Sequence, residues 1–365
     1  MKRINSIVLF LIAACMMAMA QTPDTTITRE QHLQDYDFAV KYIEDNYAGY
    51  FDKVTDSRLA EYNDMKATLR QQVENAERPC WDAIAAYTGW FNDLHLVLCV
   101  SYGKTRSVTY HPKAQQRINY VSQMEEYAPK PVACKATDKT FLIRFPSCSG
   151  NPDAKWVKKS IKLFKKSHCE NLIIDLRGNN GGDDGYFAPY QKLLYDHEVA
   201  DTDEIYRVTP QNMAYLKQAG WWQGKILEKL IAEQPDKEFL PVGYRVLKYK
   251  VDRSLRRAAL IIDNRVGSSG EGCVLKAKVC SNRTTVYGRD NTAGCIDYGN
   301  IYYITVPNCK LYLQLPMSHR YHVIENPIDP TGIAPDVRIN LPLPRKLTDN
   351  VDEWVIWVAE QLEKE

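Results

Sequence analysis

The stretch NLIIDLRGNNGG, residues 171–182, runs from an apolar segment into a charged pair and a loop with three glycines. Its apolar start is typical of a strand buried in a sheet. Glycine adopts positive φ values at little cost and uncovers backbone N–H groups, which can stabilise an oxyanion. The alternative is an ordinary glycine turn in which Asp175 and Arg177 form an ion pair. Taken alone, the composition favours this second interpretation.

The segments around this stretch alternate between strand patterns and helical patterns. A strand pattern, KTFLIRFPS at 139–147, and an amphipathic helix pattern at 154–169 precede it. Further strand patterns follow at 256–265 and 284–290. Such alternation is typical of an α/β sheet with parallel strands. In these sheets, ligands and reacting groups collect where the strands end.

The chain before this α/β pattern has a different character. Residues 27–100 carry apolar side chains at helical spacing, as at Phe38, Ile43 and Tyr47. The last residues of the chain also have a helical pattern. The predicted domains are therefore a signal peptide at 1–20, an N-terminal helical region at 21–104, an α/β core at 105–345 and a C-terminal helix at 346–365.

A second loop, IIDNRVGSSGEG at 261–272, follows another apolar strand pattern and precedes a helical one. A strand-to-helix turn can present a serine hydroxyl to a cleft, and the first N–H groups of the helix are free to bind an oxyanion. Ser268 and Ser269 are therefore candidate nucleophiles. Either serine could instead only cap the helix, and the pattern alone favours a cap.

A serine nucleophile also needs a base, because its hydroxyl is a weak nucleophile at neutral pH. Spacing along the sequence does not identify the histidine that would approach Ser268. The seven candidates are His32, His95, His111, His168, His197, His319 and His322.

The composition excludes some classes of partner. The chain of 365 residues has 47 Lys and Arg residues against 45 Asp and Glu residues. Without a basic excess, neither nucleic acid nor an anionic membrane surface is expected as the main partner. No CxxC pair occurs, so no structural zinc site is expected.

The first 20 residues are predicted to be a signal peptide. Two basic residues precede the apolar segment SIVLFLIAACMMAMA, and the final AMA suits a signal peptidase. Export to the periplasm or the cell surface of a bacterium is expected. In the alternative, IAAC at 12–15 is a lipobox, and a lipidated Cys15 attaches the protein to a membrane. Export also permits disulfides among the later cysteines.

Three motifs together resemble those of the tail-specific, or C-terminal processing, serine peptidases. LIIDLRGNNGG resembles their strand and glycine loop, and residues 266–294 resemble their nucleophile turn, helix and following strand. IENPIDPTGIAPDVRI resembles their closing motif. FNDLHLVL resembles the Asp-x-His segment of the histidine-using branch that includes the tricorn core protease. The resemblance covers about residues 90–340.

This resemblance implies a crotonase-like, ClpP-like α/β core and a serine peptidase that needs no metal and no organic cofactor. In the family, the nucleophile lies three residues before the glutamate of the turn. Counting back from Glu271 selects Ser268. The N–H of Ser269 would be one oxyanion donor, and a glycine N–H, of Gly181 or Gly182, would be the other.

The sequence departs from the family pattern at the base. Many members use a lysine after a Thr-x-Gly stretch, but Cys295 stands there, and the next lysine is Lys310. The histidine-using branch offers a substitute, since His95 matches its base and Glu325 its supporting acid. Neutral His95 would take the proton of Ser268 and return it to the leaving amine. Without the resemblance, His95 would be interpreted as a packed histidine at a helix end.

A second departure concerns substrate recognition. Many relatives carry a PDZ domain between the helical region and the core. Residues 101–140 are too few for one and lack its carboxylate-binding loop. No PDZ domain is therefore expected, nor capture of a free C-terminus by strand addition.

The sequence predicts an exported serine peptidase that acts on peptides or proteins through an acyl-enzyme. One alternative is a non-catalytic ligand-binding protein on the same scaffold, which the missing lysine favours. Another is an esterase that uses the same serine, although the turn differs from the G-x-S-x-G elbow. The oligomeric state has no signal in the sequence.

Overall fold

The computed structural model describes residues 26–101, 104–105, 117–201, 204–243, 245–321 and 325–364. The chain divides into two compact units between which it alternates. The domain boundaries predicted above assume contiguous segments and stay predictions. Unit 1 comprises residues 1–113, 203–242 and 298–325, and unit 2 comprises residues 114–202, 243–297 and 326–365.

The helices and strands of the described residues are numbered in chain order. The helices are α1 Arg29–Asn46, α2 Tyr50–Lys53, α3 Leu59–Glu74, α4 Cys80–Trp90, α5 Tyr120–Gln123, α6 Ala154–Ser167, α7 Ala188–Leu194, α8 Pro210–Ala219, α9 Trp222–Glu233, α10 Ser269–Cys280 and α11 Glu353–Lys364. The strands are β1 Val97–Ser101, β2 Lys104–Thr105, β3 Glu126–Tyr127, β4 Val132–Lys135, β5 Thr140–Arg144, β6 Asn171–Asp175, β7 Val199–Asp201, β8 Glu204–Arg207, β9 Phe239–Val242, β10 Arg245–Leu247, β11 Arg257–Ile262, β12 Thr284–Gly288, β13 Tyr298–Thr305, β14 Tyr312–Arg320, β15 Val337–Arg338 and β16 Lys346–Leu347. Within the described part of the chain, no helix is both long enough and apolar enough to cross a membrane.

Unit 1 packs the N-terminal helices and an antiparallel sheet into one apolar core. The strand order is β2-β1-β14-β8-β9, and β13 pairs with β14 as a hairpin. Helix α1 begins at a capping box in which Thr28 and Gln31 exchange hydrogen bonds. Its buried residues Tyr36 and Ile43 belong to the same core as residues of α3 and α4. The predicted N-terminal helical region is confirmed.

Unit 2 contains the α/β sheet. Its strand order is β15-β12-β11-β6-β5-β4, and all neighbours are parallel except β4 and β5. Leu172 and Ile174 pack in a core with α6, α7 and α10, whereas Ile173 packs in a second core with α11. Because both faces are covered, the strand is apolar at successive positions. The predicted α/β class is confirmed.

The sheet topology brings the two loops of interest to one edge. Strands β6 and β11 are parallel neighbours, and Asp175 lies opposite Ile261 at their carboxyl ends. The glycine loop follows β6, and the serine turn follows β11. Since parallel neighbours end at the same edge, the sheet places these loops side by side.

Four buried charged side chains anchor the start of the glycine loop. Arg144 and Arg177 each bond to both Asp175 and Asp352. Burial opposes ionisation of Asp175, but the two guanidinium groups outweigh it and lower the pKa of Asp175 to about 2. The ion pair of Asp175 and Arg177 considered from the sequence is therefore present.

Two predictions involve residues outside the described part of the chain. The signal peptide at 1–20, with the alternative lipidation of Cys15, precedes residue 26. The stretch 101–140, which is too short for a PDZ domain, includes residues 102–103 and 106–116. Both stay predictions.

Candidate active site

Ser268 stands on a strained turn between β11 and α10. Strand β11 ends at Ile262, and α10 begins at Ser269. Ser268 has φ 52° and ψ −124°, a conformation that residues other than glycine rarely adopt. The residue is half-buried. The turn therefore places a serine at the head of a helix, where the first N–H groups lack intrahelical acceptors.

The buried carboxylate of Glu271 ties this turn to the turn that follows β12. Its Oε2 accepts hydrogen bonds from the N–H groups of Ser268 at 3.1 Å and Cys295 at 2.9 Å. Its Oε1 accepts from the hydroxyl of Thr292 at 2.5 Å and the N–H of Gly294 at 2.8 Å. Burial raises the pKa of Glu271 above its ordinary value, although the four donors oppose this shift. Because every partner is a donor, the ionised carboxylate is the form that satisfies them all.

The glycine loop packs directly on the serine turn. Gly181 has φ 107°, and a Cβ added there would lie 2.8 Å from the Cβ of Ser268 and 3.0 Å from the N of Ser269. Only glycine fits this position without strain. The hydroxyl of Ser269 donates to the carbonyl of Gly182 at 2.6 Å. Unit 2 thus brings together the predicted nucleophile and all three predicted oxyanion residues.

Asn179 links the glycine loop to the serine turn. Its buried side chain accepts from the N–H of Gly181 at 3.1 Å and donates to the carbonyl of Phe145 at 2.9 Å. Its own carbonyl accepts from the N–H of Gly267 at 3.0 Å. The N–H of Gly181 is therefore already used, whereas the N–H of Gly182 donates to no acceptor among the described residues.

His95 lies in unit 1, between α4 and β1. The buried carboxylate of Asp93 accepts from the N–H of His95 at 2.8 Å and from the hydroxyl of Tyr47 at 2.8 Å. The Nδ1 of His95 lies 2.7 Å from the carbonyl oxygen of Tyr298. Because a carbonyl oxygen only accepts, Nδ1 carries the proton in the neutral imidazole, and Nε2 offers its lone pair.

Glu325 belongs to the same unit as His95 and lies exposed after β14. Among the described residues, no hydrogen bond or ion pair joins Glu325 to His95. The ring contacts the carbonyl of Tyr298 instead. The supporting role of Glu325 stays a prediction. Two other histidine candidates, His111 and His322, lie outside the described residues.

Cys295, at the position of the family lysine, contacts the serine turn. Its Sγ accepts from the N–H of Ser268 at 3.2 Å. Burial and the nearby charge of Glu271 raise the pKa of Cys295 well above the usual thiol range. A protonated thiol is a poor nucleophile. In this site Cys295 serves as a packed side chain and as an acceptor for the turn.

Three features of the site were missed in the sequence. The first is the set of hydrogen bonds by which Glu271 holds the two turns, called the clamp of Glu271 below. The sequence carries a signal for it, since Ser-x-x-Glu is the spacing of a capping box. Asn179 also has one, because asparagine side chains often bond to the backbone of turns. The carbonyl of Tyr298 has none, since every residue carries a carbonyl, and this one lies 203 positions from His95.

Similar solved structures share this fold. Mature CPAF has a TM-score of 0.62 and 14% identity, with 92% of this chain and 96% of that chain covered. Its complex with lactacystin has a TM-score of 0.62 and 15% identity, with 92% and 97% covered. A candidate peptidase from Parabacteroides merdae has a TM-score of 0.57 and 17% identity, with 84% and 90% covered. At these identities the likeness shows the fold alone.

The sequence also matches a family model. Among curated proteins, none matches this chain significantly. The model of peptidase family S41 matches residues 139–339 of the 365, more than half of the chain. The matched span contains the glycine loop, the turn of Ser268 and the clamp of Glu271, and the family predicted from the motifs is confirmed. The chain therefore belongs to peptidase family S41 and is a serine-type peptidase.

Proposed function

We propose that this chain is an exported serine peptidase in which Ser268 attacks the peptide carbonyl and His95 is the general base. The observation that carries the proposal is the positive-φ turn of Ser268, held by Glu271 against the glycine loop. Ser268 also occupies the N-cap position of α10, but an N-cap residue typically adopts an extended conformation. The conformation of Ser268 is strained instead, and such strain persists where the surroundings fix it, often at functional sites.

The oxyanion of the tetrahedral intermediate would bind to two backbone N–H groups. The N–H of Ser269 begins α10 and has no intrahelical acceptor. The N–H of Gly182 is the better second donor, because Asn179 already accepts the N–H of Gly181. The hydrogen bond from the hydroxyl of Ser269 to Gly182 would keep both donors in a fixed relation.

His95 would take the proton of Ser268 as the hydroxyl attacks. The contact with the carbonyl of Tyr298 fixes the tautomer in which Nε2 is free to accept that proton. The mechanism requires Nε2 to come within hydrogen-bond reach of the Ser268 hydroxyl. Glu325 is the proposed carboxylate that supports the imidazolium, directly or through an intervening hydroxyl or water.

The remaining steps follow from acyl transfer. The imidazolium returns its proton to the leaving amine, the C–N bond breaks, and the acyl group stays on Ser268. Water then loses a proton to His95, attacks the ester and releases the new carboxyl end. No step uses a metal or an organic cofactor.

The substrates are peptides or proteins, as the family implies. We further propose that the chain acts outside the cytoplasm, in the periplasm or at the cell surface. The support is the basic and apolar pattern of residues 1–20.

The proposal is tested by turnover of a peptide mixture and of an ester by the full chain and two variants. Ser268→Ala should lose peptide hydrolysis, because the attacking oxygen is gone. Ser281→Ala, at the other end of α10, should keep it. Circular dichroism checks the fold of each. Peptide hydrolysis unchanged in Ser268→Ala would refute the assignment, and turnover of esters alone would point to an esterase. No turnover in a folded wild type would favour a binding protein.

A further inference from the structure

Two buried thiols contact each other beside the proposed oxyanion loop. The sulfur atoms of Cys148 and Cys273 lie 3.7 Å apart, and neither side chain is exposed to solvent. A disulfide needs a separation of about 2.05 Å. The two sulfur atoms therefore have only about 1.7 Å to close from the 3.7 Å of the structure.

Cys148 lies on the segment after β5, which is hydrogen-bonded to the glycine loop, and Cys273 lies on α10. The N–H of Cys148 donates to the carbonyl of Gly181 at 3.0 Å, and its carbonyl accepts from the N–H of Asp183 at 2.8 Å. Cys273 lies one helical turn after Ser269, and its thiol donates to the carbonyl of Ser269 at 3.1 Å. A bond between the sulfur atoms would join the segment that holds the glycine loop to the helix that Ser268 precedes.

We propose that Cys148 and Cys273 form a disulfide while the exported chain folds in an oxidising compartment, a proposal that rests on the export proposed above. The oxidant is a disulfide, RSSR, either small or enzyme-bound. The Cys148 thiolate attacks one sulfur, which gives a mixed disulfide and one thiol. Cys273 then loses its proton and attacks the sulfur of Cys148, which releases the second thiol. Two electrons and two protons pass to RSSR, which becomes two RSH.

The timing follows from burial. Both thiols are fully enclosed in the folded chain, so an external oxidant reaches them only before packing is complete. Once formed, the bond is protected from reductants by the same packing. The pair is therefore a structural cross-link of the site rather than a switch that opens in the folded enzyme.

The test maps the cysteines of the full chain after export to a bacterial periplasm. Free thiols are alkylated in denaturant, and the protein is digested without reduction and measured by mass spectrometry. We expect one linked peptide that contains Cys148 and Cys273, lighter by two hydrogen atoms than the two thiol peptides together. Recovery of both cysteines alkylated from the folded wild type would overturn the proposal, as would linkage of either one to a different cysteine.

Two variants separate the pair from other buried thiols. Cys273→Ser should abolish the linked peptide and leave Cys148 alkylated. Cys280→Ser, seven positions later on the same helix, should retain it, since the Sγ of Cys280 contacts the carbonyls of Gln191 and Ala277 instead. If Cys273→Ser fails to fold, the peptide mapping of the wild type still shows whether Cys148 and Cys273 are linked.

An activity measurement tests whether the disulfide affects catalysis at the site. Protein refolded in a reductant should show a several-fold lower kcat with an unchanged KM, because the oxyanion loop is less firmly held. Equal kcat values would show that the bond does not serve the site. The mapping needs no turnover, so failure of the peptidase proposal and failure of the disulfide proposal give different results.

Discussion

The two units hold their proposed catalytic side chains in different ways. In unit 2, Ser268 is fixed within the motifs themselves, by the carboxylate of Glu271 and by the backbone carbonyl of Asn179, which accepts from the neighbouring Gly267. In unit 1, the ring of His95 is fixed by the carbonyl of Tyr298, 203 positions away. The geometry of the nucleophile is encoded in short motifs, whereas that of the base depends on how the β13–β14 hairpin packs.

Because of this difference, different substitutions are needed to test the position of Ser268 and the role of His95. Substitution of a clamping side chain should disturb Ser268, because its strained backbone depends on those hydrogen bonds. No substitution removes the carbonyl of Tyr298, so the base is best tested by removing the imidazole itself.

The largest effect on rate is expected from the base. His95→Ala should lower kcat/KM about 10²-fold or more, which is the scale of general-base catalysis. The wild-type rate should fall on acidification, because protonated imidazole cannot accept the serine proton, and the variant should lose that dependence. The measurement is a pair of pH–rate profiles. His197→Ala, a histidine paired with Asp196, is the control, and near wild-type turnover by folded His95→Ala would sink the proposal.

The next effect concerns the four buried charged side chains at the start of the glycine loop and their contribution to the stability of the fold. Asp175→Asn should lower the free energy of unfolding at neutral pH by about 3 kcal/mol or more, because both arginines lose a buried partner. The pKa of Asp175 is lowered from 3.8 to about 2. Its contribution is therefore present above about pH 4 and is lost as the pH falls toward 2. In urea titrations, the difference between wild type and variant should shrink over that range. A constant difference would contradict the assignment.

A smaller effect is expected from the clamp. Glu271→Gln keeps the shape but turns an amide N–H₂ toward backbone donors that need an acceptor. We expect kcat to be about tenfold to hundredfold lower. Buried donors of the turn lose their acceptor, and the resulting loss of free energy disturbs the position of Ser268. Glu228→Gln, at an exposed position, is the matched control. If both variants kept full activity, the clamp would have no role in placing Ser268.

The smallest effect is expected from Ser269→Ala. The backbone N–H of residue 269 remains, and only the hydrogen bond from its hydroxyl to Gly182 is lost. One such bond contributes about 1 kcal/mol, so a few-fold lower kcat is expected. Steady-state kinetics beside Ser268→Ala would show it. Equal loss in both variants would leave the nucleophile unassigned between the two serines.

Much of unit 2 could be predicted from the sequence, because its signals are local. A strand buried on both faces is apolar at successive positions, and glycines mark the loop that follows, as at 171–182. The partnership of Arg144 with Asp352 could not be predicted, since the two residues lie 208 positions apart. The sheet of unit 1 was also missed as a unit, because β8 and β14 come from distant segments. The motifs predicted Ser268 and His95 as site residues, but they did not predict the backbone carbonyl that orients the imidazole.

Ser268 is the proposed nucleophile of this peptidase. A fluorophosphonate probe reacts with an activated serine, so the most direct measurement is to label the folded chain, digest it and locate the modified residue by mass spectrometry. We expect a single modification on Ser268, no labelling of Ser268→Ala and retained labelling of Ser269→Ala. Modification of Ser269, or labelling that persists in folded Ser268→Ala, would contradict it.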